Sequence, residues 1–475
     1  MYVSKYNVIV NLRDRGDVSI IHNLFHGRAC LIGRDLGNAL KTALGSEPPK
    51  SLNTHYLSLL RDRHFVYESR EEEEDEIAEM FHLFQDHLTP GNAGRKYEIL
   101  LNYDCNLRCV YCFQKKMRGG AIKNFPMTEA QLDAVLKTVA TIEARNAEGN
   151  RQASEAALLS VVGGEPLLPD VRHRTALTKI ARFAAEHDCR YSITTNGVAL
   201  IDYLDLFEAC GRKPNHVQVT VDGPRQIHDQ RRIAIGGGGS FDRIVEGIEA
   251  GLSANIPIGV RVNVDLMNVS GITELGALIR SKGWDKSPHF SAYLAPVTDH
   301  SAVNKTYKWI KADATIIKQL VALFEKEPEL EDVFRMKNFR GFDQVRELSR
   351  GGRVGPVFWR CEAVLGQLVF DPSGDLYTCF EAAGREKAKI GRYFPDLQID
   401  AVRLRRWTSL NTFENASCSG CRFRFTCASG CPWHIVGQGV TECLPIEEEL
   451  ELAWNHFAPV FMRRLAPAAS GLAPC

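Results

Sequence analysis

The chain has 475 residues, of which 44% are hydrophobic and 24% charged, ordinary globular values and enough length for about three domains. Lys+Arg and Asp+Glu each number 58, so the charge balance gives no reason to expect a nucleic-acid or anionic-membrane partner. No apolar run reaches the ~18–20 residues of a membrane span, and Met1–Lys5 lacks the basic-then-apolar pattern of a secretion signal, so a cytoplasmic protein is expected. In that reducing compartment the 14 cysteines are better explained by metal ligation than by disulfides. Ten of them cluster, three at 105–112 and seven between 361 and 443, while Cys30, Cys189, Cys210 and Cys475 read as isolated thiols.

Residues 1–88 read as a small separate unit. Tyr6–Leu12 and Asp17–Asn23 alternate as strands and are joined by Asp14-Arg15-Gly16, a hairpin signal, with Ala29–Ile32 as a third strand. Leu36, Leu40 and Leu44 share one helical face; Leu57, Leu59 and Leu60 mark a second helix before Phe65-Val66-Tyr67. Ser69 N-caps a third helix, in which Glu71–Glu76 form a solvated acidic start and Ile77, Met80, Phe81, Phe84 and Leu88 an apolar stripe. A hairpin with helices is the make-up of a winged-helix-like module. Its strand edge either accepts an extended peptide as an added strand or belongs to a purely structural appendage.

After a linker, Thr89–Gly94, strands and helices alternate over 96–300. The expected strands lie near 97–103, 157–162, 191–195, 216–222, 258–265 and 290–294. Helices start at Thr128 (with Gln131 completing a capping box), Arg172, Asp202, Ser240 and Ser270. Six such units predict a parallel sheet with outer helices, a partial (β/α)6 barrel whose chemistry gathers at the C-terminal strand ends. At the first end stand Cys105, Cys109 and Cys112, spaced C-x3-C-x2-C. Three thiolates from one short loop hold three irons of a [4Fe–4S] cluster and leave one iron open; the competing reading is a structural zinc site. Gly163-Gly164-Glu165-Pro166 ends the second strand, with two glycines that admit a ligand to the backbone and a carboxylate able to hold an ammonium group. Thr195-Asn196-Gly197 and Val221-Asp222-Gly223 end the third and fourth. Arg261, Asn263 and Asp265 alternate onto the interior face of the fifth, costly unless something polar is bound there.

In order and spacing, these motifs resemble the radical S-adenosylmethionine (SAM) superfamily over roughly 96–300. The resemblance implies that the open iron is chelated by the amino and carboxylate groups of SAM, with Gly163, Gly164, Glu165 and Pro166 at the methionine amino group. It implies Tyr111 against the adenine, and Thr195, Asn196 and Arg261 at the ribose or carboxylate.

Residues 301–357 are charged and read as a helical bridge, with Ile310, Ile316, Ile317, Leu320, Leu323 and Phe324 at helical spacing. The second cysteine field, 358–445, runs Cys361, Gly374, Cys379, then Cys418-x2-Cys421-x5-Cys427-x3-Cys431 and Cys443. It resembles the SPASM extension of peptide-modifying radical SAM enzymes; a two-zinc ribbon is the alternative. The resemblance implies one auxiliary [4Fe–4S] cluster on Cys418, Cys421, Cys427 and Cys443, and another on Cys361, Cys379 and Cys431, for three clusters in all. Some relatives place a further ligand where this chain has Gln367. Sulfatase-maturating relatives carry an aspartate directly after the second cysteine; here Phe380 stands there and Glu381 follows. Glu381 and Asp222 are the candidate catalytic residues. Residues 446–475 give one packing helix and a tail.

The resemblance implies a maturase of a ribosomally made precursor peptide. A 5′-deoxyadenosyl radical would remove hydrogen and an intrapeptide cross-link would form, either a thioether or a carbon–carbon or ether link at an aromatic ring. Residues 1–88 resemble the recognition elements that bind the leader of such a peptide, and a flavodoxin or ferredoxin would donate electrons. A formylglycine-forming or enzyme-subunit thioether maturase is the alternative, and an iron–sulfur electron carrier a third class.

Overall fold

The computed structural model describes residues 1–87, 95–116, 126–148, 156–298 and 313–465; the linker 89–94, Ile310 and the tail 466–475 lie outside them. Near the N-terminus, strands β1 (Asn7–Asn11), β2 (Val18–Asn23) and β3 (Arg28–Gly33) form an antiparallel sheet in that order. Helices α1 (Arg34–Thr42) and α2 (Thr54–Arg61) follow, and then α3 (Arg70–His87). The Glu72 amide donates to Ser69 Oγ at 3.3 Å, as the expected cap requires. The acidic run of α3 is not wholly solvated. Glu73 is buried, with its carboxyl pushed up to about 7 by desolvation, and Glu76 faces inward on two histidines. Cys30 is buried and disulfide-bonded rather than an isolated thiol, a pairing that sequence spacing does not reveal.

The six expected parallel strands are present in the expected order. They are β4 (Lys96–Leu100), β5 (Leu158–Val162), β6 (Arg190–Thr195), β7 (His216–Thr220), β8 (Ile258–Val264) and β9 (Phe290–Pro296), each paired in parallel with the next. Near-continuous apolar runs such as Leu158-Leu159-Ser160-Val161-Val162 suit strands covered on both faces. The helix Glu129–Glu148 opens with the capping box: the Thr128 amide donates to Gln131 Oε1 at 2.8 Å and the Gln131 amide to Thr128 Oγ1 at 3.2 Å.

Two further parallel strands, each only three residues long, extend this sheet. β10 (Phe334–Met336) adds beyond β9, so the bridge between the two cysteine fields is not helical throughout. β11 (Leu368–Phe370), from the second cysteine field, pairs in parallel with β4 and then turns into β12 (Asp375–Tyr377). The turn is fastened to the barrel side: Tyr103 Oη donates to the buried Asp371 carboxylate at 2.9 Å, and Gln131 Nε2 to the Pro372 carbonyl at 2.8 Å. The N-terminal unit shares an aromatic core with the same field. Tyr6 and Phe25 pack on Phe425 at 4.8 and 5.1 Å between ring centroids, and Phe81 stacks on Phe413 at 4.3 Å. The final helix, Ile446–Leu465, closes on β2, where Trp454 Nε1 donates to His22 Nδ1 at 3.2 Å.

Burial holds His22 neutral by pushing its pKa down to about 3. Unfolded, near pKa 6.5, it takes up a proton. Its contribution to stability is therefore complete above about pH 6.5 and lost as pH falls towards 3, at up to about 1.4 kcal/mol per pH unit. A His22→Phe variant should show a shallower fall of Tm between pH 6.5 and 5 than the wild type; parallel Tm curves would refute this assignment.

Candidate functional site

The cysteine loop leaves the C-terminal end of β4. Cys105 is buried and Cys109 and Cys112 half-buried. Leu107–Cys109 forms a short antiparallel ladder with Arg232–Ala234, extended by the Val110 amide to Arg231 O and the Ile235 amide to Asn106 O at 3.0 and 2.9 Å. This ladder brings Arg232, buried, against the Cys109 thiol and donates its Nη1 to Tyr111 Oη at 2.8 Å. The three thiols interact electrostatically, and burial pushes Cys109 up to about 12; thiolates persist in such a place only beside a cation. Among the described residues no three cysteine sulfurs lie within 4.8 Å of one another. A tetrahedral zinc needs sulfurs about 3.8 Å apart, whereas the thiolates of an iron–sulfur cube sit on different irons and stand wider. The spacing fits the cluster better than zinc.

The Gly-Gly-Glu-Pro turn holds this loop in place. A Cβ on Gly164 would lie 1.9 Å from Asp104 O, and one on Gly163 3.1 Å from Asn102 O, so the glycines let the end of β5 touch the entry to the cysteine loop. The Gly164 and Glu165 amides donate to Asn102 O and Asp104 O at 2.9 and 2.7 Å. Glu165 is buried and its carboxylate is fully engaged. Oε1 accepts from Thr195 Oγ1 at 2.6 Å and the Leu167 amide at 2.8 Å, and Oε2 accepts from the Asn196 amide at 2.6 Å. These bonds fasten the β5 and β6 ends together beside the turn that the sequence marks for an ammonium group. Asn196 Nδ2 in turn donates to Asn106 Oδ1 at 2.6 Å and approaches Cys105 Sγ at 3.7 Å.

Asp222, at the end of β7, is fully buried and joins a second web. Its carboxylate accepts from the Tyr111 hydroxyl and from the Asn263 amide at 3.0 Å, and Arg231 Nε lies 3.6 Å away. Asn263 Nδ2 donates to Tyr111 Oη at 3.1 Å, and Arg261 Nε to Asn263 Oδ1 at 2.7 Å. The costly interior face of β8 is thus paired: Asp265 takes a two-pronged salt bridge from Arg231 at 2.9 and 2.7 Å. Asp222 orients Tyr111 and β8. Arg231 and Arg232 escaped the sequence reading; their signal was a pair of arginines eight residues beyond the Asp222-Gly223 turn.

Cys379 interacts with Cys361 and Cys431, and Cys418 with Cys421, Cys443 and Cys427. Gln367 donates to Thr378 O at 2.7 Å, and its Oε1 is buried without a hydrogen-bond partner. Cys379 Sγ donates to Glu381 Oε2 at 3.5 Å, while the neighbouring Phe380 sets its ring edge-on to Phe113, one residue beyond Cys112, at 5.3 Å. Phe380 therefore lies between the two cysteine fields. Beside them Lys96 bridges Glu98 at 2.9 Å and Glu362 at 2.7 Å, and burial raises the Glu98 pKa. The sequence signal for that pair was a charge on alternate positions of an otherwise apolar strand.

The model described as the radical SAM superfamily matches residues 99–279, the stretch from β4 through the helix after β8. Residues 99–279 therefore form a radical SAM domain. The AdoMet-dependent heme synthase of Methanosarcina barkeri is 29% identical over 195 residues, 40% of this chain and 49% of that one, so the match spans about half of that relative. The cysteine-type anaerobic sulfatase-maturating enzyme of Clostridium novyi is 24% identical over 342 residues, 69% of this chain and 85% of that one. Among solved structures, anSMEcpe with bound AdoMet and Kp18Cys peptide aligns with a TM-score of 0.58 at 16% identity, over 78% of this chain and 99% of that one. SuiB of Streptococcus suis bound to its precursor peptide SuiA aligns with a TM-score of 0.54 at 15% identity, over 93% and 98%. At these identities the structural likeness is one of fold alone. No described helix is long and apolar enough to cross a membrane.

Gly164→Ala should force the Asp104 carbonyl and the cysteine loop apart. After anaerobic reconstitution, iron analysis should fall by about four atoms per chain and SAM cleavage to under about a tenth of wild type, with Tm lowered because the new Cβ meets backbone rather than a flexible side chain. Full iron content with full cleavage would show that the close approach does not matter.

Proposed function

We propose that this protein is a maturase that installs an intrapeptide cross-link in a ribosomally made precursor peptide. The observation that carries the reading is the N-terminal unit. Among the described residues its β3 edge pairs on one side only, with β2, and its core is continuous with the second cysteine field, so a peptide added as a strand there would be tethered beside that field. Two likenesses support it: the fold of SuiB, solved with a precursor peptide, is matched over 93% of this chain, against 78% for anSMEcpe, a difference close in size to this unit.

Cys105, Cys109 and Cys112 would hold the site cluster. The Gly163–Pro166 backbone, Tyr111, Thr195, Asn196 and Arg261 would surround SAM. Cys361, Cys379 and Cys431, and Cys418, Cys421, Cys427 and Cys443, would hold two auxiliary clusters. When bound, cluster and SAM supply a 5′-deoxyadenosyl radical that takes a hydrogen atom from an unactivated carbon. The chain's own work is positional. The Glu165 and Asp222 webs orient the strand ends, Phe113 and Phe380 set an apolar contact between the cysteine fields, and Glu381, hydrogen-bonded to Cys379, is the acid–base candidate. Electrons would come from a flavodoxin or ferredoxin, in the cytoplasm.

A formylglycine-forming maturase is the second reading, favoured by the Clostridium novyi relative. Phe380, in place of the aspartate those relatives carry, weighs against it.

Co-expression with its precursor peptide, sought as a short open reading frame beside this gene, should give a product lighter by two hydrogens, with its fragment-ion ladder interrupted between the linked residues. A product that reacts with a hydrazide probe would instead mark an aldehyde and select the second reading; an unchanged peptide alongside confirmed SAM cleavage would overturn both. Deleting the peptide's leader should raise KM at least about tenfold and change kcat less. Equal KM values would remove the N-terminal unit from recognition.

A further inference from the structure

The N-terminal unit holds a second constellation of metal-ligating side chains, far in chemistry from the thiol fields. His26 Nε2, His64 Nδ1 and a Glu76 carboxylate oxygen all lie within 4.8 Å of one another, the single such group of three among the described residues. His26 Nε2 is 3.4 Å and His64 Nδ1 3.5 Å from Glu76 Oε2. A tetrahedral zinc with bonds of 2.0–2.1 Å separates its ligand atoms by about 3.4 Å. The three donors come from three elements: the β2–β3 loop, the turn after α2, and the second turn of α3.

The two histidine-bearing turns are built to meet. Asn23, fully buried at the end of β2, uses its whole amide. Its Oδ1 accepts from the Phe25 and His26 amides at 3.0 and 2.9 Å. Its Nδ2 donates to His64 O at 3.1 Å, and to Asn7 Oδ1 and Ser4 Oγ at 2.9 and 3.2 Å. His64 sits in the left-handed region, with φ +60°, a conformation that aims its ring at His26, 4.2 Å away between centroids. Such backbone fixing of ligands is what a preformed metal site requires. His26 is nearly buried and His64 and Glu76 about one-third exposed, so an ion has a route in and a fourth coordination position open to water. The Tyr67 hydroxyl, now 2.9 Å from His26 Nε2, would give up that bond on ligation.

We propose that His26, His64 and Glu76 bind a divalent transition metal of borderline softness, zinc by preference, which staples the β2–β3 loop and the α2 turn to α3. Nitrogen and oxygen donors without sulfur suit zinc and disfavour an iron–sulfur cluster.

The full chain, with its clusters reconstituted so that cysteines are occupied by iron, should be equilibrated with equimolar zinc, desalted and analysed for both metals. Wild type should retain about one zinc per chain; His64→Asn (asparagine tolerates the left-handed backbone) and Glu76→Gln should each reduce zinc at least about tenfold with iron unchanged. Zinc retention equal in wild type and both variants, or no zinc in wild type, would overturn the proposal. Circular dichroism superimposable on wild type keeps a misfolded variant from counting as support.

Discussion

The buried carboxylate of Glu165 ties the ends of β5 and β6 to the cysteine loop. It takes three hydrogen bonds, from the Thr195 hydroxyl and the Leu167 and Asn196 amides. Burial alone would favour its neutral form, and those bonds favour the anion. Leaving such a group unsatisfied costs about 1–3 kcal/mol, so the turn is stable only with β6 docked. Asn196 then carries the constraint to Asn106 and Cys105, and Gly164 supplies the room. The cysteine loop is positioned by its neighbours rather than by its own conformation.

A second constraint sets the distance between the cysteine fields. β11 continues the main sheet from β4, and Tyr103, two residues ahead of Cys105, bonds to Asp371 in the turn after β11. The last strand before the first field and the first strand of the second field are therefore one hydrogen-bonded surface. Phe113 and Phe380 meet across the space that remains. A bulky apolar pair there shapes what may enter without adding charge.

The N-terminal unit is anchored on the far side of that field through Tyr6, Phe25, Phe81 and Phe425. An aromatic core of this kind makes the unit part of one body with the cysteine domain, while β3 keeps its outer edge. Recognition by strand addition at such an edge depends on main-chain pairing, and its tether length to the chemistry is set by packing rather than by a flexible linker.

Much of this was legible in the sequence. The alternation of strands and helices over 96–300 determined the six-strand order, because short βα connections leave a parallel sheet few other ways to form. The spacing of Cys105, Cys109 and Cys112 determined that they share one loop, since residues so close in sequence cannot be far apart in space. Capping at Ser69 and Thr128 was readable for the same local reason. Tertiary structure alone decided the rest. β10 and β11 are three residues each, too short for periodicity, and exist because a sheet edge was there to receive them. Arg231, Arg232 and Glu98 are charges whose burial depends on partners distant in the chain. Glu165 and Glu76 look alike as acidic residues; one became a buried fastening and the other faces two histidines, because side-chain role is fixed by which surfaces the fold brings together, and that information is non-local.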